Sequence, residues 1–77
     1  MIHDLKILDS YYDDITDGMK CFEVRFNDRN YKVGDRIQFL SEHGGGYRQH
    51  ELYEITYIHS GLGMDKGYVI LGLNLDI

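Results

Sequence analysis

The chain has 77 residues, 43% of them hydrophobic, with seven tyrosines and a formal charge of −5. That length suffices for one domain, residues 1–77, with one modest core, so any site must sit on the same few elements that fold it. The acidic balance argues against a protein that coats duplex nucleic acid, whose affinity comes from neutralising many phosphates. Short apolar runs, a single cysteine and a start without the basic and apolar blocks of a signal peptide give the expectation of a cytoplasmic chain with no membrane span.

The opening IHDLKIL alternates His3, Leu5 and Ile7 against Asp4 and Lys6, the period of a half-buried strand. SYYD then has the form that opens a helix, with Ser10 as N-cap and Asp13 answering it. Tyr11, Tyr12 and Ile15 would form the inner face of this two-turn helix, and Gly18 its stop. From Lys20 to Phe26 the strand period returns, and Phe22, Val24 and Phe26 are expected to point inward. NDRN is a turn. YKVGDRIQFL predicts a Gly34-Asp35 turn and a strand with Ile37 and Phe39 inward.

HGGGYR, residues 43–48, reads as a hairpin tip in which Tyr47 and Arg48 would be free to close over a ligand. The next strand runs from about Arg48 to His59, with Tyr53, Ile55 and Tyr57 expected in the core. GLGMDKG is a glycine-bounded loop. YVILGLNL closes the chain with Val69, Leu71, Leu73 and Leu75 inward and Gly72 marking a bend or bulge. Five strands with one early helix predict a mainly β, α+β fold, a small antiparallel barrel whose closure would leave no exposed edges.

Charge is unevenly spread. Lys20, Arg25, Arg29, Lys32 and Arg36 stand against Glu23, Asp28 and Asp35, a balance of +2, while the rest of the chain sets three cations against ten acids, −7. Such a segment suits a small anionic ligand or a few nucleotides better than a long polyanion. Cys21 is expected to be a small buried filler. His3, His43, His50 and His59 have no metal-ligand spacing, and neither metal nor cofactor is expected.

Within the basic segment, GMKCFEVR fits G-x-K-x-x-E-x-R, which after a short helix resembles the signature of the ASCH domain, a branch of the PUA-like β-barrels associated with RNA. The H-x-L-K opening, RNYKVGDRI and GLGMDKGYVILGL extend that likeness to a short bacterial and phage family of ASCH-related domains with no assigned function, over nearly the whole chain. The resemblance implies a PUA-like pseudo-barrel and a nucleic-acid or nucleotide cleft beside the motif residues Gly18, Lys20, Glu23 and Arg25. Gly34 and Asp35 belong to its structural pattern.

The residue chemistry fits such a cleft. Arg25 offers a planar fork to phosphate or a base edge, Lys20 a mobile charge, and Glu23 a carboxylate to hold either cation. Arg29 and Arg48 would add positive charge and Tyr31 a stacking face. Lys20 and Glu23 lie three apart, so they meet only if Lys20 precedes the regular strand or a bulge re-aims one of them. Some ASCH proteins are amidohydrolases acting on acetylated cytidine. Lys20 matches their lysine, but Glu23 stands where they have a threonine, with Glu51 and Glu54 as candidates for a distant glutamate. The expected partner is thus a short single-stranded RNA, an RNA end or a nucleotide. The rivals are a modified-nucleoside hydrolase and a phage-type adaptor binding protein through its acidic surface.

Overall fold

The structure, a computed structural model, describes residues 1–41 and 48–76. Its elements follow the expected order: β1 (Ile2–Ile7), α1 (Asp9–Thr16), β2 (Phe22–Phe26), β3 (Arg36–Ser41), β4 (Arg48–Ser60) and β5 (Tyr68–Asp76). The strands make one sheet in the order β1-β3-β4-β5-β2. Three of its pairings are antiparallel, but β1 and β3 run parallel, so the sheet is mixed and not the antiparallel barrel expected. It curls into a half-barrel, with β1 and β2 as its two edges.

The concave side holds the core. Leu5, Ile37, Phe39, Ile55 and Leu71 are wholly buried, one or two from each of four strands. Truncating one of them to Ala costs about 2–5 kcal/mol in a site of this kind. Helix α1 lays Tyr12 and Ile15 onto this core, the Tyr12 ring edge-on to Phe39 at 6.0 Å. The helix starts one residue before Ser10, with Leu8 in the N-cap position and no side-chain cap, so the capping role expected of Ser10 is not used. Its end is as expected. Gly18 has φ +78°, the Gly18 amide donates to the Ile15 carbonyl, and the Met19 amide donates to that of Asp14. This paired C-terminal closure needs a left-handed residue, which glycine adopts without a Cβ penalty.

Strand β4 changes phase part-way. Ile55 lies opposite Leu73 and Tyr57 opposite Gly72, so Thr56 is an extra residue, a bulge. Ile55 and Ile58 therefore both face the core, while Tyr57, expected inside, is 66% exposed. Gly72 makes room for the bulge: a Cβ there would lie 3.2 Å from that of Tyr57. At the sheet's open end Leu75, also expected inside, is half-exposed.

The largest departure is β2. Phe22, Val24 and Phe26, expected inside, are 42%, 48% and 53% exposed, and Glu23 is buried at 5%. Pairing with β5 explains the inversion. Glu23 sits opposite Leu71 and Arg25 opposite Val69, so they share the concave face with two core residues. Cys21, expected buried, is exposed just ahead of the strand.

Candidate functional site

The unpaired edges of β1 and β2 face each other across the open side of the half-barrel, and the side chains of β2 that point inward fill this seam. Glu23 is its pivot. Lys20 Nζ lies 2.8 Å from Glu23 Oε1, and Nε and Nη2 of Arg25 both lie 2.9 Å from Oε2. Arg25 Nη2 also donates to the Lys6 carbonyl, tying one sheet edge to the other. That carbonyl belongs to a strand edge with no neighbour on this side, so the guanidinium takes the place of a ladder partner.

Lys20 reaches Glu23 because it precedes β2 and so escapes the strand's alternation. The helix closure holds it there, its amide donating to the Asp14 carbonyl. Its ammonium also sits 4.2 Å from the centroid of the Tyr11 ring and 5.5 Å from that of Phe22, the geometry of cation–π contact.

These groups line a cleft of about 550 Å³ bounded by Lys6, Leu8, Tyr11, Phe22, Glu23 and Arg25, among others. The volume falls within the ~300–1,000 Å³ of small-ligand sites. Lys6, Lys20 and Arg25 line the cleft with a single carboxylate, Glu23, an excess of positive charge in a chain of net −5. Among the described residues Lys6 has no ion-pair partner and is exposed. Both oxygens of Glu23 are engaged, so it orients two cations while Tyr11 and Phe22 supply aromatic surface beside them.

Lys20, Glu23 and Arg25 thus come together, and Gly18 closes the helix that delivers Lys20. Arg29 stands exposed in the turn after β2 and does not line the cleft. Tyr31 is buried, its ring edge-on to His3 at 4.9 Å, and burial raises its pKa. Its face is not offered to a ligand. Arg48 opens β4 opposite Leu40, with its side chain outside the described residues, as are Tyr47 and the glycines of the 43–48 segment. Gly34 and Asp35 serve the fold: Gly34 makes the turn before β3, and Asp35 Oδ2 lies 2.8 Å from Nε2 of buried His3 and accepts from the Lys32 amide. That histidine contact, ahead of the amide, holds the Asp35 carboxyl below its ordinary range.

Glu51 accepts the Tyr12 hydroxyl and does not line the cleft. Burial, then this contact, pushes the Tyr12 pKa well above that of a free phenol. Sequence reasoning missed Lys6, Tyr11 and Phe22 as cleft residues. Lys6 lies within the H-x-L-K opening, but its approach to the motif depends on the sheet order. Among the described residues no three His, Cys, Asp or Glu cluster in a way that could hold a metal, and no helix is long and apolar enough to cross a membrane.

Fold and site together define a small half-barrel domain with a cationic, partly aromatic cleft along its open seam. The chain belongs to the family described as Domain of unknown function (DUF3850), whose model matches residues 2–73. No curated protein matches the chain.

Proposed function

We propose that this chain is an RNA- or nucleotide-binding domain of the ASCH, PUA-like kind, taking a nucleotide, an RNA end or a short single-stranded segment in the seam cleft. The observation that carries this reading is the convergence of Lys6, Lys20 and Arg25 with the Tyr11 and Phe22 rings on one cleft of about 550 Å³. Cations for phosphate beside aromatic faces for bases are what single-strand recognition requires. Overall acidity limits the site to a few phosphates, since outside the cleft the chain repels a polyanion. The resemblance of GMKCFEVR to the ASCH signature supports the same reading.

The hydrolase alternative is weaker on chemical grounds: the carboxylate that meets Lys20 is Glu23, whose two oxygens are already taken by Lys20 and Arg25. Equilibrium binding of fluorescently labelled RNA tetramers at several salt concentrations tests the proposal. A ligand held by two or three cations gives a log–log salt slope of roughly −1.4 to −2.1, and Lys6→Ala, at an exposed position, weakens binding several-fold. A slope near zero, or affinity unchanged in Lys6→Ala and Lys20→Ala, rejects the cleft as the site.

A further inference from the structure

The inversion of β2 also builds a surface on the convex side of the sheet, one that shares Phe22, Val24 and Phe26 with the rim of the seam cleft. Residues opposite one another across a strand pair share a face, so Phe22 lies in a row with Gly72 and Tyr57, Val24 with Ile70 and His59, and Phe26 with Tyr68. These rows carry no Asp, Glu, Lys or Arg; by the same alternation the charged residues of the convex side, Asp4 and Lys6 on β1, Arg36 on β3 and Glu54 on β4, lie toward the other edge of the sheet. The rings of these rows are held in place: Phe26 packs edge-on to Tyr68 at 5.4 Å and covers Gly67 so closely that a Cβ there would lie 2.6 Å from the ring.

We propose that this face is the interface of a two-fold homodimer. With roughly 200 Å² for a full aromatic side chain, the exposed parts of Phe22, Val24, Phe26, Tyr57 and Tyr68 present on the order of 500 Å² of mostly apolar surface per copy. Two copies together reach about 1,000 Å², the size at which a specific interface becomes tenable.

A chain of net −5 repels its own copy over most approaches, and these rows of β2, β5 and β4 are a part of its surface where two copies meet without like charges set against one another. An isologous interface must be self-complementary, and the outward residues of β2 read Phe-Val-Phe in both directions. A two-fold axis through Val24 lays Phe22 of one copy on Phe26 of the other, with the sheets packed about 10 Å apart.

The test is sedimentation equilibrium of the full chain from about 5 to 500 µM, a range chosen to bracket a dissociation constant on the order of 10 µM. Wild type is expected to shift from monomer to dimer across it. Val24→Asp sets two like charges across the axis and is expected to weaken association at least tenfold with an unchanged far-ultraviolet circular dichroism spectrum. Should Val24→Asp fail to fold, Tyr57→Lys, at the most exposed ring of the face, serves instead. A wild type that stays monomeric throughout overturns the proposal, as does a variant that folds and dimerises like wild type. A monomer whose Tyr57, His59 and Tyr68 amide signals, outside the cleft, shift with oligouridine overturns it in favour of a stacking surface. Association is measured without nucleotide, so its outcome does not turn on what the seam cleft binds.

Discussion

Glu23→Gln tests the inverted β2 most sharply, because the substitution keeps volume and removes only charge. In the structure the carboxylate is 5% exposed and receives three nitrogen contacts at 2.8–2.9 Å from Lys20 and Arg25. Hydrogen bonds to charged groups contribute about 1.5–3 kcal/mol each where burial is complete, and losing one partner of a buried ion pair costs about 3–5 kcal/mol. Lys20 and Arg25 are themselves partly exposed and regain water when released, which lowers the cost to about 2–3 kcal/mol. For a domain of this size, with total stability of about 4–11 kcal/mol, that is a fall in melting temperature of roughly 10–20 °C. Val24→Ser, at a half-exposed position, costs less than about 1 kcal/mol. Thermal and urea unfolding of the two variants decide the matter. If Val24→Ser costs more than 2 kcal/mol and Glu23→Gln less than 0.5, the three apolar residues of β2 point inward and the site described above does not exist.

Further consequences concern the turn before β3, the loop before β5 and the helix. Because the Asp35 carboxyl is held below its ordinary range, its contribution to stability is complete above the unfolded value of about 3.9 and is lost as pH falls through the lower folded value. The difference in urea midpoint between wild type and Asp35→Asn should hold steady above about pH 5 and shrink toward pH 2; a difference that grows on acidification contradicts the assignment. Gly67→Ala places a Cβ against the Phe26 ring at φ +88° and is expected to destabilise by about 1–2 kcal/mol. A neutral result would mean that Phe26 does not cover this glycine and that the loop adopts another backbone. Tyr12→Phe removes the hydroxyl donated to Glu51 and should cost about 0.5–1.5 kcal/mol in urea unfolding, while leaving RNA binding unchanged, since neither residue lines the cleft.

Element order was legible because alternation and glycine stops are local. His3, Leu5 and Ile7, then Ile37 and Phe39, then Val69, Leu71 and Leu73 all face the core as their period requires. Facing failed where the partner strand outweighed the apolar count. In FEVRF the apolar set faces outward, because register with β5 aligns Glu23 and Arg25 with Leu71 and Val69, and buried ion pairing makes that alignment tolerable. Tyr57 was misplaced because an inserted Thr56 rephases the strand, and periodicity alone does not show a bulge. The motif trio was legible as chemistry, including the requirement that Lys20 precede the regular strand. The opposite wall was not: Lys6 and Tyr11 join the cleft only because the sheet order leaves β1 and β2 as facing edges. Tyr31, chosen for its basic surroundings, is claimed by the core through His3.

The seam cleft as a nucleotide site is the central claim, and amide chemical-shift mapping of the labelled chain with cytidine, nucleoside monophosphates and RNA tetramers addresses it most directly. Saturable shifts confined to residues 6–8, Tyr11 and residues 20–26, weakened by salt and lost in Lys20→Ala, are the expected result. Shifts absent with every ligand, or centred on residues remote from the seam, would contradict it.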